Sequence, residues 1–491
     1  MYNKRTGFSL KFTSGTIAAV LTLFIGTMSL SAAGTSPTGT LCTSKKTGAV
    51  RWTSASKCRS TERIYSPTAS ASVAGPQGER GPTGAAGANG TNGINGTNGN
   101  DGLDGLPGAQ GPQGEPGLTG NITGRTIHTQ FPTNDGFYPS AAFGVDGLPI
   151  IAAAASGHHL RIVHCVDMSC THTPTVTDYD ANVASTGYYS SIIVSPADGL
   201  ALVGYYDETN SALRVLHCNN VACTEGTLTT IESGTSAGRY GISVAVGADG
   251  LGIIAYYKFD TTDLKVAHCA VESCATFTRT VVDSVGNVGG WNSMAIGSDG
   301  LPLISYFDAT GKNLKVAHCT DVACSSSTVS TVDSTNDVGY STSLAIGLDG
   351  LGIISHVDTT NRAVRITHCS DLACTTGTSV SLSSAGFGTF ETSLAIGRNG
   401  FPIVVHRLSE QVGPWIVKVT ACADQFCLFS STYTIVPESY AGELIDAKIT
   451  VAPDGLPFIV GQGSNVGGNV RHLSTYHCGT ITCSPWIGRN R

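Results

Sequence analysis

A unit of about 50 residues is repeated seven times, and this repeat restricts the fold more than any other feature of the chain. Its first landmark is a turn dipeptide, Asp-Gly or Asn-Gly, whose successive copies lie 52, 51, 50, 50, 50 and 55 residues apart. The copies are Asp146-Gly147, Asp198-Gly199, Asp249-Gly250, Asp299-Gly300, Asp349-Gly350, Asn399-Gly400 and Asp454-Gly455. A C-x4-C pair follows each one. Such a period is typical of solenoids, propellers and arrays.

The sequence of each unit predicts four short strands. The clearest copy, NSMAIGSDGLPLISYFDATGKNLKVAHCTDVACSSSTVSTVDS, covers residues 292–334. Asp-Gly between alternating apolar runs predicts a hairpin with a type I′ turn, which needs φ > 0 at both central residues. Asp308 at the second turn predicts an Asx-turn. Four strands in about 50 residues make one propeller blade. The predicted fold class is therefore an all-β, seven-bladed β-propeller with four-stranded blades.

The first strand of each unit carries small residues on one face. In the clearest copy these are Ser293, Ala295 and Gly297, and the third, fifth and sixth units show the same pattern. Because side chains alternate between the two faces of a strand, one face of this strand is small. Small side chains suit the crowded axis of a propeller, so the first strand is predicted to lie innermost.

The N-terminus has the pattern of a signal peptide over residues 1–33. Lys4, Arg5 and Lys11 precede an apolar run, and a small-residue cleavage site follows at residues 31–33. A retained membrane anchor is the alternative, and only in that case would the protein contact a membrane. Residues 34–74 form a small polar segment with Cys42 and Cys58, for which a disulfide within the chain, or one between chains, is predicted.

Every third residue from 75 to 122 is glycine, in sixteen uninterrupted Gly-X-Y triplets. Only glycine fits at the axis of a collagen triple helix, so the segment is predicted to be a triple-helical stalk that makes the protein a homotrimer. A loose Gly-rich linker is the alternative. The chain has a net charge of −7, only 13% charged residues and no basic cluster, which argues against a nucleic-acid partner.

This arrangement resembles bacterial collagen-like surface proteins, which combine a signal sequence, a small Cys-bearing segment, a Gly-X-Y stalk and a C-terminal globular domain. The resemblance covers roughly residues 1–123. The repeats resemble a propeller family of secreted bacterial proteins, on the motifs S-x-A-x-G-x-DGLP-x-IS and LKVAHC-x4-C. The resemblance to collagen-like proteins implies an extracellular or cell-surface location and a role in adhesion.

The propeller is predicted to occupy residues 124–491 and to close through both of its ends. The seventh unit stops early and has little room for a fourth strand, whereas RTIHTQF, before the first unit, resembles the end of a repeat. We therefore expect this segment to supply the outer strand of the last blade. Such pairing would join the first and last blades and protect a sheet edge.

The cysteines of the repeats are predicted to form disulfides, with the two members of each pair flanking the turn between the third and fourth strands. The pairs are Cys165/Cys170, Cys218/Cys223, Cys269/Cys274, Cys319/Cys324, Cys369/Cys374, Cys422/Cys427 and Cys478/Cys483. A histidine precedes the first cysteine in six pairs, which raises zinc as an alternative. Adjacent strand residues point to opposite faces, so His318 and Cys319 do not suit one metal ion. We predict no metal and no cofactor, and a packed, hydrogen-bonded histidine.

The strand order brings the second-to-third and fourth-to-first connections to one face of the ring, and aromatic side chains gather there. One set stands just before the first strands: Tyr138, Tyr189, Tyr240, Trp291, Tyr340, Phe390 and Tyr440. A second set ends the second strands: Tyr205, Tyr256, Tyr306, His356 and His406. Such rings could bind a saccharide or a peptide. The alternative is that they fill gaps between blades.

Taken together, these patterns predict a secreted or surface-displayed trimeric binding protein, adhesin-like or lectin-like, whose ligand is a glycan or an extracellular protein. A structural coat or filament component is one alternative, and a glycan-active hydrolase or lyase is another. Glycoside hydrolysis usually needs two carboxylates, and the non-repeated acids Glu410, Glu438 and Glu443 show no paired spacing. We therefore do not expect an enzyme. In the sixth unit the repeat is broken by Arg407, Gln411 and Trp415, which marks either a functional blade or sequence drift.

Overall fold

A computed structural model describes residues 126–131, 136–157, 159–183, 185–234, 236–382, 388–409, 415–435, 444–464 and 471–483, together with the backbone of three short N-terminal strands. The chain divides into two compact units, residues 1–110 and 111–491. In the first unit, β1 (Thr40–Ser44) pairs with both β2 (Val50–Thr53) and β3 (Glu62–Ile64). The Gly-X-Y segment and Cys58, and with it the predicted Cys42–Cys58 disulfide, lie outside the described residues. Within the described part of the chain, no helix has the length and apolar character that a membrane span requires.

The first described strand of the second unit is β4 (Ile127–Gln130). The unit contains seven four-stranded sheets, which we number as blades 1 to 7. Blade 1 contains β5 (Phe137–Phe143), β6 (Pro149–Ala154), β7 (Leu160–His164) and β8 (Thr175–Tyr179). Blade 2 contains β9 (Tyr188–Val194), β10 (Ala201–Asp207), β11 (Ala212–Cys218) and β12 (Gly226–Glu232). Blade 3 contains β13 (Ala237–Val246), β14 (Gly252–Lys258), β15 (Asp263–Cys269) and β16 (Phe277–Asp283).

The remaining four blades repeat this order. Blade 4 contains β17 (Val288–Ile296), β18 (Pro302–Asp308), β19 (Asn313–Cys319) and β20 (Ser327–Asp333). Blade 5 contains β21 (Val338–Ile346), β22 (Gly352–Asp358), β23 (Ala363–Cys369) and β24 (Gly377–Ser381). Blade 6 contains β25 (Gly388–Ile396), β26 (Pro402–Ser409), β27 (Trp415–Cys422) and β28 (Ser430–Ile435). Blade 7 contains β29 (Leu444–Val451), β30 (Pro457–Ser464), β31 (Arg471–His477) and β4.

The predicted fold class is confirmed: the second unit is an all-β, seven-bladed propeller with antiparallel, four-stranded blades. The first strand of each blade contacts the first strands of both neighbouring blades, so these strands lie innermost, as predicted. A serine on this strand joins adjacent blades. For example, the Oγ atom of Ser243 accepts a hydrogen bond from the N–H of Met294 at 2.9 Å, and that of Ser293 accepts one from Leu344 at 3.0 Å.

The two ends of the propeller pair as the sequence predicts. Strand β4 is the outer strand of blade 7 and lies antiparallel to β31. The ring of His128 stacks on Tyr476 with 4.4 Å between centroids. Beyond the strand, the N–H of Phe131 donates to the carbonyl of Leu473 at 3.0 Å, and the Phe131 side chain is 8% exposed within a core shared by blades 1 and 7. The ring is therefore closed by residues that precede its first blade.

The Asp-Gly hairpins are present, but the predicted type I′ turn is wrong. Only the glycine has positive φ, for example 75° at Gly147. The N–H of Gly147 donates to the carbonyl of Gly144, and the N–H of Gly144 donates to that of Leu148. This is a three-residue loop, in which a turn is followed by a left-handed glycine. The Oδ1 atom of Asp146 accepts the N–H of Leu148 at 3.1 Å, so the aspartate stabilises the loop as an acceptor.

The seven predicted disulfides within the repeats are present, so their thiols are not available to a metal ion. They are Cys165–Cys170, Cys218–Cys223, Cys269–Cys274, Cys319–Cys324, Cys369–Cys374, Cys422–Cys427 and Cys478–Cys483. One detail of the prediction is wrong, because the two cysteines do not flank the turn. The first stands at the end of the third strand, but the second lies inside the loop, before the fourth strand begins.

The second cysteine of each pair has a left-handed backbone, which explains its place in the loop. The φ values are 55° at Cys170, 49° at Cys223, 54° at Cys274, 55° at Cys324, 51° at Cys374, 55° at Cys427 and 49° at Cys483. In blade 4, the N–H of Cys324 donates to the carbonyl of Asp321 at 3.0 Å, which closes a tight turn within the disulfide ring. The fourth strand of that blade then begins at Ser327. The disulfide therefore closes a loop that precedes the strand, rather than linking two strand ends.

The histidine beside the first cysteine binds the aspartate of the Asp-Gly turn. In blade 4, Nε2 of His318 lies 2.8 Å from Oδ2 of Asp299. This confirms a packed, hydrogen-bonded histidine. Blade 6 lacks both members of the pair, with Asn399 and Ala421 in their places. The histidine and the aspartate are thus either both present in a blade or both replaced.

Candidate ligand-binding cavity

An open cavity of about 610 Å³ lies on the propeller axis, lined by the beginnings of all seven inner strands. Five half-buried aromatic residues follow one side of it, and we call them the aromatic arc. They are Tyr138, Tyr189, Tyr240, Trp291 and Tyr340. Their neighbouring ring centroids are 4.4, 5.6, 5.7 and 4.1 Å apart, in that order. The first five members of the predicted ring therefore form one continuous surface.

A β-bulge in the inner strand turns these side chains toward the cavity. The strand register shifts beside Tyr138, Tyr240 and Trp291, for example. These three residues have φ values of 49°, 63° and 49°. Bulky residues rarely adopt this left-handed conformation, and bulges often reorient side chains beside binding sites. The same conformation occurs at Ser341 in blade 5 and at Asp446 in blade 7, so it belongs to the bulge and not to the aromatic residues alone.

The hydroxyls of Tyr138, Tyr189 and Tyr340 in the arc remain neutral at physiological pH. Burial raises the pKa of Tyr138 and of Tyr189, and it raises the pKa of Tyr340 to about 12. A neutral phenol can both donate and accept a hydrogen bond. On one flank, the guanidinium of Arg239 lies 4.9 Å from the ring centroid of Tyr240. The arc therefore combines flat apolar faces with polar atoms at their edges, which suits a ligand with the same mixture.

The arc does not continue through blades 6 and 7 in the described structure. Phe390 lies on β25, but its side chain is outside the described residues, as is the whole of Tyr440. The strand register places Glu391 and Asp446 where blade 4 has Trp291. An acidic group thus follows the aromatic arc on each of the last two blades. The acids Glu410, Glu438 and Glu443 also lie outside the described residues.

The second predicted aromatic set does not reach the cavity. Tyr205, Tyr256, Tyr306 and His356 are 0% exposed, and His406 is 1% exposed. They lie inside the blades, so their expected place on the ligand-binding face is corrected. The sequence predicted that these residues, at the ends of the second strands, face the ligand. In the structure, an acidic residue at the end of the preceding blade's outer strand covers each of the three tyrosines. Their burial favours the alternative role that the sequence offered, namely filling the gaps between blades.

The buried tyrosines each bind an acid at the end of the preceding blade's outer strand. In blade 4, the Tyr306 hydroxyl donates to Oδ2 of Asp283 at 2.7 Å, and Nζ of Lys315 lies 2.5 Å from the same oxygen. Blade 2 has the same arrangement around Asp180, and blade 3 has it around Glu232. The two histidines of the set, His356 and His406, instead bond threonine hydroxyls at 2.9 Å, and burial lowers the pKa of each to about 4.

Sequence reasoning singled out Arg407 but missed the other polar residues that line the cavity in blades 6 and 7. Oε2 of Glu391 accepts the N–H of Asp446 at 2.7 Å, and Oε1 lies 3.6 Å from Nη1 of Arg407. Lys448 and Gln462 also line this part. Burial and the nearby Glu391 raise the pKa of Asp446 to about 7. Aligning the units on their Asp-Gly turns would have revealed these residues, since each replaces an aromatic, apolar or serine residue of the other blades.

Comparison with known proteins identifies a family for one segment only. Residues 70–126 match the collagen triple helix repeat. No curated protein matches the chain. A structure of a protein of unknown function from Dyadobacter fermentans DSM 18053 is similar at 9% identity, covering 72% of this chain and 97% of that one, with a TM-score of 0.43. AofleA from Arthrobotrys oligospora is similar at 6% identity, with 63% and 90% covered and a TM-score of 0.40.

The NanB sialidase from Streptococcus pneumoniae is similar at 12% identity, with 71% of this chain and 69% of that one covered and a TM-score of 0.41. The family match agrees with the sixteen uninterrupted Gly-X-Y triplets of residues 75–122. The seven sheets and their repeated disulfides follow that segment in the chain. The protein therefore combines a collagen-like segment with a seven-bladed β-propeller whose blades each carry a disulfide.

Proposed function

We propose that the protein is a secreted or surface-displayed trimeric adhesin, and that its propeller binds glycans through the cavity. The observation that carries this proposal is the aromatic arc, in which five half-buried rings line an open cavity of about 610 Å³. Aromatic faces with polar edges can stack on the flat faces of sugar rings while their hydroxyls bond sugar hydroxyls. The bulges that direct these rings to the cavity support the same role.

The rest of the chain supports the proposed location and assembly. Disulfides persist in oxidising compartments, and each blade carries one. This supports an extracellular location, reached through the predicted signal peptide. A triple helix in the Gly-X-Y segment would join three chains and present three propellers together. Binding sites that are linked in this way gain avidity, by a factor of about 10² or more where the geometry allows simultaneous contact.

A glycan array probed with the full-length protein tests the proposal. We expect selective binding that falls at least about tenfold, or about 1.4 kcal/mol, in Trp291→Ala and in Tyr340→Ala, because each removes a stacking face. Phe429→Ala is the control, since Phe429 is 73% exposed, just beyond the disulfide loop of blade 6, and does not line the cavity. Retained binding by both folded cavity variants would reject the cavity as the site. No binding at all would favour a structural coat role.

A glycan-active hydrolase or lyase is a second candidate because of one specific observation. Glu391 and Asp446 place two carboxyl groups beside the aromatic arc, and the pKa of Asp446, raised to about 7, suits a general acid. Incubating an array-positive saccharide with the protein should then release new chain ends, and Asp446→Asn should abolish that release. Unchanged saccharide after prolonged incubation would leave binding as the function.

A further inference from the structure

Blades 6 and 7 depart together from the pattern of the other blades, and their departures meet in one part of the cavity. At the inner-strand bulge, Glu391 and Asp446 stand at the register that Trp291 has in blade 4. A second departure lies on the second strand, where blade 4 has Phe307 but blades 6 and 7 have Arg407 and Gln462. The position that is apolar in blade 4 is thus polar in blades 6 and 7, the same two blades that carry an acidic residue at the inner-strand bulge.

The third departure concerns the serine that joins adjacent blades. Six blades have this serine, at Ser140, Ser191, Ser243, Ser293, Ser343 and Ser393. Blade 7 has Lys448 at the same register, and Lys448 is an exposed residue that lines the cavity. Blade 7 therefore lacks the serine that forms the inter-blade hydrogen bond in the other six blades, and it has a cationic side chain in the cavity instead. We call Glu391, Arg407, Asp446, Lys448 and Gln462 the polar sector.

The polar sector has more hydrogen-bond donors than acceptors. Its acceptors are already engaged, because Glu391 accepts the N–H of Asp446 at 2.7 Å and lies 3.6 Å from Arg407. Gln462 is 1% exposed, and its Oε1 accepts Nη1 of Arg471 at 2.7 Å. Its Nε2, in contrast, has no hydrogen-bond partner among the residues that the structure describes. A buried donor without a partner is unfavourable, so a ligand acceptor would stabilise it.

The charges of the sector favour an anionic ligand. Lys448 and Arg407 supply two positive charges, and Arg471 beside Gln462 supplies a third. Glu391 and Asp446 are the acidic groups of the sector, and Asp446 is only partly ionised near neutral pH because burial and the nearby Glu391 raise its pKa to about 7. Ammonium and guanidinium groups bind carboxylates and sulfates through charge-assisted hydrogen bonds. The excess of donors and the excess of positive charge thus point to the same ligand chemistry.

We propose that the polar sector binds the carboxylate or sulfate group of an anionic saccharide whose sugar rings stack on the aromatic arc. This inference rests on the proposed function, because it assigns a ligand class to the same cavity. Lys448 and Gln462 Nε2 contact the anionic group. Glu391 positions Arg407 and the backbone of Asp446.

The test is a set of matched saccharides that share one backbone in neutral, carboxylated and sulfated forms, measured with the full-length protein. Lys448→Ser is the decisive variant, because serine already stands at this position in the six other blades and the fold accepts it. Gln462→Leu is the second variant. Trp291→Ala reports on the aromatic arc alone. Melting temperatures confirm that each variant is folded.

We expect an anionic form to bind at least roughly tenfold more tightly than its neutral counterpart, and Lys448→Ser to remove most of that preference. The carboxylated and sulfated arms show which anion is bound. Equal affinity for neutral and anionic forms, or a preference that survives in Lys448→Ser, would overturn this inference while the proposed function stands. If no saccharide binds at all, both this inference and the proposed function fail. Failure of the inference alone is therefore distinguishable from failure of the proposed function.

The pH dependence gives an independent check. Asp446 faces Glu391, Arg407 and Lys448, and its carboxylate accepts the backbone N–H of Tyr138. As the pH rises through about 7, Asp446 gains a negative charge that repels an anionic ligand. A sulfated saccharide should therefore bind roughly fivefold more weakly at about pH 8 than at about pH 6, and Asp446→Asn should bind equally at both. Tighter binding at the higher pH in the wild type would contradict the assignment.

Discussion

A propeller that begins at residue 136 is expected to melt on the order of 10 °C lower than one that begins at residue 124. The shorter chain lacks β4, so the edge of β31 becomes exposed and Tyr476 loses its stacking on His128. It also lacks Phe131, whose buried side chain packs in the core between blades 1 and 7. Losing a buried phenylalanine alone costs about 3–5 kcal/mol, and a stacked ring pair adds about 0.5–1.5 kcal/mol.

Differential scanning calorimetry of the two truncated chains measures this difference. Both chains lack the Gly-X-Y segment, so any contribution of trimer assembly is removed from the comparison. Phe131→Ala in the longer chain separates the loss of the buried side chain from the loss of the strand. Equal melting temperatures for the two truncations would mean that β4 does not close the ring in solution.

Replacing Asp283 with alanine is expected to destabilise the protein by about 3–5 kcal/mol, because it leaves the Lys315 ammonium buried without its partner. Asp283 is 6% exposed and accepts both Lys315 Nζ and the Tyr306 hydroxyl. Removing one member of a buried ion pair costs more than replacing both members with apolar residues. Adding Lys315→Met to Asp283→Ala should therefore recover part of the loss. Denaturant unfolding of the two single variants and the double variant measures this coupling, and strictly additive effects would contradict it.

The same carboxyl group gives the protein an acid-sensitive element. Burial opposes the ionisation of Asp283, but hydrogen bonds from Lys315 and Tyr306 outweigh it and hold the pKa of Asp283 below the ordinary value of 3.8. A depressed pKa in the folded state stabilises the protein above the unfolded pKa, and this contribution is lost as the pH falls through the folded value. The destabilisation caused by Asp283→Ala should accordingly shrink in acid, below about pH 4.

The fold was largely predictable from the sequence because its signals are repeated seven times. The Asp-Gly turns, the C-x4-C pairs and the small inner-strand residues each recur at one register, so chance matches are improbable. Ring closure was also predictable, since one missing strand and one surplus strand lie at opposite ends of the propeller. The turn type was not, because Asp-Gly suits both a two-residue turn and a three-residue loop with a left-handed glycine.

The candidate site was only half predictable. The aromatic arc stood out because an aromatic residue stands eight or nine residues before the turn aspartate in each of the first five units. The burial of Tyr306 and its equivalents was missed, although acids such as Asp283 recur beside them and could have indicated a buried cluster. Of the polar sector, the sequence analysis singled out Arg407 alone. The other members were missed because each is a single departure from the repeat, and only the strand register shows that Glu391 and Asp446 line one cavity.

Oxidative footprinting of the full-length protein, with and without the saccharide that binds most tightly on the array, tests most directly whether the propeller binds its ligand through the cavity. Side chains that a ligand covers react more slowly, so the measurement locates the ligand without a substitution. We predict strong protection of Trp291 and Tyr240 and no protection of Phe429. Protection of Phe429 with unchanged reactivity along the aromatic arc would contradict binding through this cavity.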